Sequence, residues 1–122
     1  MQNIPPGINC QILSGKEILM VSYANLKDEE AISLAINLKN RILEEKRKDL
    51  LLFVDITDTT TSPHLFKKLK ETSIIIDPYV KMRCVMGVVG VKKMLLTFYN
   101  NATKKGAKPV DTFEEGIKIL SA

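Results

Sequence analysis

Leu50–Val54 is an unbroken run of five apolar residues that follows directly on a long amphipathic segment, and no other feature restricts the fold as tightly. A strand that is apolar at every position buries both faces, as parallel strands inside an α/β sheet do. The preceding segment carries Ala31, Ile32, Ala35, Leu38, Ile42 and Leu43 at helical spacing, up to the polar run Glu44–Lys48. In front of it, Ile18–Tyr23 is largely apolar in both alternating sets, which predicts another strand covered on both faces. A strand, a helix and a strand in that order form a right-handed crossover, so the chain must build at least part of a parallel sheet.

The rest of the sequence extends this unit in both directions. Cys10–Leu13, Ser14-Gly15-Lys16 and Glu17–Ala24 read as a hairpin. Asn25, with Asp28 three residues on and Glu29 and Glu30 behind it, reads as the capped start of the long helix. Leu65, Phe66 and Leu69 mark a second helix that ends near Ser73, and Ile74–Tyr79 either finishes that helix or forms a short extended segment. Met82–Val89 is a further two-faced strand, in which Gly87 allows close packing and Gly90 turns the chain. Val91, Leu95, Phe98 and Ala102 give a third helical stripe, with Lys104 and Lys105 in its last turn and Gly106 as its C-terminal cap. Ala107–Val110 reads as a short edge strand, because Pro109 has no N–H for a central ladder. Thr112 and Glu115 form a capping box for a last helix carrying Phe113, Ile117 and Leu120. The predicted order is β-β-α-β-α-β-α-β-α: an α/β fold with a single mixed, mostly parallel sheet of about five strands and helices packed on it.

At 122 residues, with no repeat, low-complexity tract or linker, the chain is expected to be one domain with one core. No apolar run reaches bilayer length, and Met1–Asn9, irregular around Pro5-Pro6-Gly7, has no signal-peptide pattern, so a cytoplasmic location is expected. Cys10 and Cys84 suit that compartment as free, buried and inert thiols. Charge is uneven: Pro78–Val110 holds seven basic residues (Lys81, Arg83, Lys92, Lys93, Lys104, Lys105 and Lys108) and no acidic one. Such a segment can face an anionic partner, but a solvated helix face with strand-end lysines explains it better. With one arginine and few aromatics interleaved there, nucleic-acid binding is not expected.

Ligands of open α/β sheets bind beyond the carboxyl ends of the parallel strands. Two loops sit there, Asp55–Ser62 and Val89–Lys93, and they converge if their strands are neighbours. In the first, Ser62-Pro63 is a helix start, and Asp58 with Thr59, Thr60 and Thr61 suits a turn. Asp55 and the hydroxyls beside it, Thr57 included, are left as candidates for function. In the second loop, Gly90, Lys92 and Lys93 open a helix and form a candidate anion site, although GVVGVKK matches neither a nucleotide P-loop nor a dinucleotide fingerprint. Ser62, His64 and Asp55 make no credible triad: Ser62 and His64 are two apart at a helix start and point apart. A lone histidine gives no metal site, and no cofactor is expected. Tyr23, Tyr79 and Tyr99 read as residues of the core edge.

The pieces SYANLKDEEAI, LLLFVDITDTTTSP, PYVKMRCVMGVVGVKKMLLTFYN and VDTFEEGIKIL together resemble the bacterial SpoIIAA-like (STAS/SEC14-type) family, relatives of anti-sigma factor antagonists and of the cytoplasmic domains of sulphate transporters. The resemblance covers nearly all of the chain after residue 17 and implies one STAS-like domain over residues 1–122. It also implies that the helix after the third strand begins near a phosphorylatable serine, within Asp58–Ser62, in a D-S-x-G context. This chain has no such glycine and carries Pro63 instead. The expected function is therefore a non-enzymatic regulatory or protein-interaction module. Its phosphoacceptor or partner-binding edge would comprise Asp55, Thr57, Asp58, Thr59, Thr60, Thr61 and Ser62, with a protein partner such as a kinase-like regulator. The alternative is a binder of a small anionic or lipid-like ligand at the carboxyl edge of the sheet. An enzyme ranks third, because no acid/base pair has the required spacing.

Overall fold

A computed structural model describes residues 7–59 and 62–122. The hairpin is formed by β1 (Gly7–Leu13) and β2 (Lys16–Ser22), antiparallel and paired from Gly7↔Ser22 to Leu13↔Lys16. Its turn residues Ser14 and Gly15 both have positive φ, 51° and 79°, as a two-residue turn with the twist of its strands requires. Beyond β2 come α1 (Asp28–Glu45), β3 (Leu50–Asp55), α2 (Pro63–Ile76), a 3₁₀ turn (Asp77–Tyr79), β4 (Val80–Met86), α3 (Lys92–Ala102), β5 (Lys108–Val110) and α4 (Phe113–Leu120). The five strands lie in the order β1-β2-β3-β4-β5, and all pairs after the first are parallel.

Right-handed crossovers in this order carry α1, α2 and α3 to one face. The alternation of β3 then explains why its apolar run is unbroken. Leu50 and Leu52 point into a core with Leu19, Val21, Ala31, Ala35, Ile42, Leu65 and Ile76. Leu51 and Phe53 point the other way, into a second core with Ile18, Met20, Cys84, Val110, Ile117 and Leu120 under α4. Phe53 meets Phe113 edge-on, with ring centroids 5.3 Å apart, and fixes α4 against the sheet.

Several boundaries differ from the sequence reading for local reasons. β1 begins at Gly7, earlier than the apolar pattern reaches, since it only needs to follow β2. Asn25 does not cap α1: it takes a left-handed turn conformation (φ 62°), and Lys27 occupies the cap, its N–H donating to Glu30 Oε1 at 3.0 Å. α2 runs past Ser73 to Ile76, because the 3₁₀ turn containing Pro78 ends it rather than an extended segment. β4 begins at Val80 and stops at Met86, so Gly87 lies beyond the strand. α3 stops at Ala102 with Thr103 as its cap, which leaves Lys104, Lys105 and Gly106 outside the helix. There the Asn100 side chain binds both the N–H and the carbonyl of Ala107 and leads the chain into β5.

The thiols divide. Cys84 is buried among the α4 contacts, while Cys10 is exposed. Cys10 lies on β1, the edge of the sheet, where it pairs with Leu19 of β2 and has no strand on its other side among the described residues. Burial and the nearby Glu17 carboxylate still push the Cys10 thiol above its usual range, so exposure does not make it a nucleophile.

Candidate functional site

β3 and β4 are neighbours, so the two loops at their carboxyl ends meet. Asp55 closes β3 and is buried; its Oδ1 accepts from the Thr57 N–H at 2.9 Å and from the Thr57 hydroxyl at 2.6 Å, a side-chain-braced turn. The Thr59 hydroxyl is buried and donates to the Tyr23 carbonyl at 3.1 Å, tying the loop back to the end of β2. Ser62 Oγ accepts from the Leu65 N–H at 3.0 Å and caps α2, with Pro63 first in the helix. Asp55, Thr59 and Ser62 thus each hold backbone in place, and Thr57 and Asp58 face solvent. Thr60 and Thr61 lie outside the described residues.

The second loop is fitted to the first. The Ile56 N–H donates to the Met86 carbonyl at 2.9 Å. Gly87 (φ 96°) passes so close that a Cβ there would lie 2.6 Å from the Thr57 nitrogen. Lys92, at the start of α3, turns inward, its ammonium donating to the Ile56 carbonyl at 2.7 Å. Burial lowers the Lys92 pKa, and the charges of Asp58 and Asp55 oppose that shift. The amides of Lys92, Lys93 and Met94 close onto the carbonyls of Val89, Gly90 and Val91, while the Lys93 side chain is exposed. The structure therefore brings Asp55–Thr59 and Lys92 together and leaves Lys93 and Gly90 on the outer surface. His64 is exposed on the first turn of α2. No group of three or more His, Cys, Asp or Glu side chains able to hold a metal stands among the described residues.

Beneath these loops lies a cavity of about 130 Å³, between α2, α3 and the inner face of β3 and β4. Leu52, Val54 and Val85 form its floor, Leu65 and Leu69 one wall, and Leu95, Leu96 and Tyr99 the other. It opens because α3 is thinly packed: none of its residues is fully buried, and Val91, Met94 and Phe98 face outward. A dry apolar cavity of about 150 Å³ holds a benzene-sized molecule, which sets the scale of what this one accepts.

One wall residue is charged. Arg83, in the middle of β4 opposite Leu52, is 3% exposed and lines the cavity. Its Nη2 donates to Asp77 Oδ1 at 2.5 Å, and its guanidinium lies over the Tyr99 ring at 5.7 Å. Its Nε and Nη1 are buried without a hydrogen-bond partner among the described residues. Such donors cost about 1–3 kcal/mol each when left unpaired. Lys105, from beyond α3, donates to the carbonyls of Asp77 and Val80. Of the seven basic residues read as a solvated face, Arg83 is thus buried, and Lys92 and Lys105 bind backbone carbonyls. The signal for Arg83 was an arginine placed inside a two-faced apolar strand, six residues after an aspartate. Burial also raises the Tyr23 and Tyr99 hydroxyls above their usual range.

A five-stranded sheet with one antiparallel edge strand, three helices on one face and a terminal helix on the other is a SpoIIAA-like fold. Among solved structures, the chain is similar to an uncharacterized protein of the DUF3478 family with a SpoIIAA-like fold from Shewanella loihica PV-4, with a TM-score of 0.67, 14% sequence identity and 98% of each chain covered. No family model matches the chain, and no curated protein matches it. No helix among the described residues is long and apolar enough to cross a membrane.

Proposed function

We propose that this chain is a cytoplasmic, non-enzymatic binding module that holds a small, largely apolar molecule between α2, α3 and the sheet. The apolar cavity carries this reading, for a core of this size sacrifices packing to keep such a space. Titration of the ¹⁵N-labelled protein with toluene, followed by NMR, tests it. Saturable shifts at Leu69, Val85 and Leu96 are expected, together with a raised melting temperature, since a ligand of the folded state stabilises it. Unmoved spectra with saturating toluene and with saturating benzoate would sink the reading.

A second reading is favoured by the carboxyl edge itself: a regulatory surface for a protein partner, switched by phosphorylation. Thr57, Asp58, Val89 and Val91 are exposed there, on two loops fixed to each other through Lys92 and Gly87. Phosphate on Thr57 would end its bond to Asp55 and set about two negative charges beside that carboxylate, loosening the junction. Phosphopeptide mass spectrometry of the protein isolated from its own cells decides the switch. Absence of modification at Thr57 and Thr59–Ser62 in every growth state would leave a constitutive surface only.

A further inference from the structure

The polar groups at the two ends of the cavity differ in the donors they leave unmatched, and that difference names the ligand class. This step rests on the cavity reading above. At the carboxyl edge, Lys92 is faced by two carboxylates, Asp55 and Asp58. At the inner end, Arg83 lines the cavity and binds the Asp77 side chain through Nη2 alone, while Lys105, exposed and outside the lining, binds the Asp77 carbonyl. The unmatched donors therefore lie inside, on Arg83, and not at the mouth where Lys92 and Lys93 first suggest an anion. The inner end also holds the two guanidinium N–H groups without acceptors, a hydroxyl pair formed by Tyr99 and Ser73, and little else that is polar. An apolar molecule alone would leave those donors unmatched, and a multiply charged one would place further charges against Leu69, Val85 and Leu96.

We propose that the cavity takes a compact hydrophobic monocarboxylate, an aryl or short-chain acid, with its carboxylate on Arg83 and its apolar body along Leu69, Val85 and Leu96. Charge-assisted bonds from an arginine to a carboxylate are among the strongest available in a dry site, and one carboxylate matches the two N–H groups that Asp77 leaves unpaired on Arg83. The cavity volume limits the body to about one six-membered ring.

Binding of benzoate, benzamide and toluene to the full chain, measured by NMR titration, tests the assignment. Benzoate is expected to bind at least about tenfold tighter than either neutral compound, a charge-assisted bond being worth that much. Its shifts should centre on Arg83, Tyr99 and Leu96. Arg83→Lys should reduce the benzoate-to-toluene ratio. The double variant Asp77→Asn/Arg83→Met, which leaves no lone buried charge, should bring it to about one, because the charge-assisted bond is gone. Equal binding of all three compounds, a ratio unchanged in the double variant, or benzoate shifts centred on Lys92 and Lys93 would each overturn the assignment while leaving the cavity reading in place. Failure of toluene and benzoate alike to bind would remove both.

Discussion

Tyr23 and Tyr99 both border the cavity, and burial holds both hydroxyls in the protonated form beyond the usual tyrosine range. Below pH 10 the folded and unfolded chains carry these protons alike, and the contribution to stability is constant. Above the ordinary tyrosine value of 10.0 the unfolded chain ionises first, so stability falls as pH rises from there. Urea midpoints taken between about pH 9 and pH 11 should decline, and Tyr23→Phe should make the decline shallower. An identical slope in Tyr23→Phe would show that Tyr23 is not the titrating group. Ser62 gives a simpler expectation. Ser62→Ala removes the acceptor for the Leu65 amide and should cost about 1 kcal/mol in chemical unfolding. If Ser62 also carried a phosphate, that loss would add to an effect on partner binding without depending on it.

Among the elements, α4 is held most closely to the sheet. A Cβ on Gly116 would overlap the edge of the Phe53 ring, lying 2.8 Å from its Cδ2, and would press on Val110. Gly116→Ala should therefore destabilise the fold by about 1–3 kcal/mol despite the better helix propensity of alanine, because overpacking outweighs the roughly 0.5–1 kcal/mol that propensity offers. Thermal unfolding measures this, and a variant as stable as the parent would mean that α4 slides freely. α3 is the opposite case. Its inner residues line a space instead of filling one, and Val91, Met94 and Phe98 turn outward, so α3 is the element best able to move as a ligand enters. The hydrophobic stripe of α3 was readable in the sequence, but Val91 and Phe98, assigned to that stripe, face solvent. Spacing alone does not say which face of a helix meets the sheet, or how closely.

For the molecule as a whole, the cavity is a cost accepted within a small core. Val85→Ile adds one methylene at its floor and should stabilise the protein by about 0.5–1 kcal/mol while weakening toluene binding. Denaturant titration read beside the NMR titration checks both, and a gain in stability with unchanged binding would place the ligand elsewhere. The architecture itself was legible early. The alternation in Ile18–Tyr23, the unbroken Leu50–Val54 and the stripe from Ala31 to Leu43 encode two buried strands and a crossover within about forty residues, and each depends only on local periodicity. Ser62-Pro63 and Thr112 with Glu115 likewise announced their helix starts, although Glu115 returns its bond to the Asp111 N–H instead of to Thr112.

Other features depended on distance through space. Cys10 lost its cover because β1 became an edge, and Asn25 became a turn because the chain had to leave β2 before α1 could begin. Asp77, Arg83, Tyr99 and Lys105 are drawn from a 3₁₀ turn, a strand, a helix and a connecting loop, and beyond the spacing of Asp77 and Arg83 no local pattern links them. The sequence by itself determined the order of elements and the two-sided burial of the central strands, since hydrophobic periodicity and capping act over a few residues. Only the tertiary structure decided where α3 stands off the sheet and which charges meet beneath it, because register between distant strands and the docking of a helix set those distances.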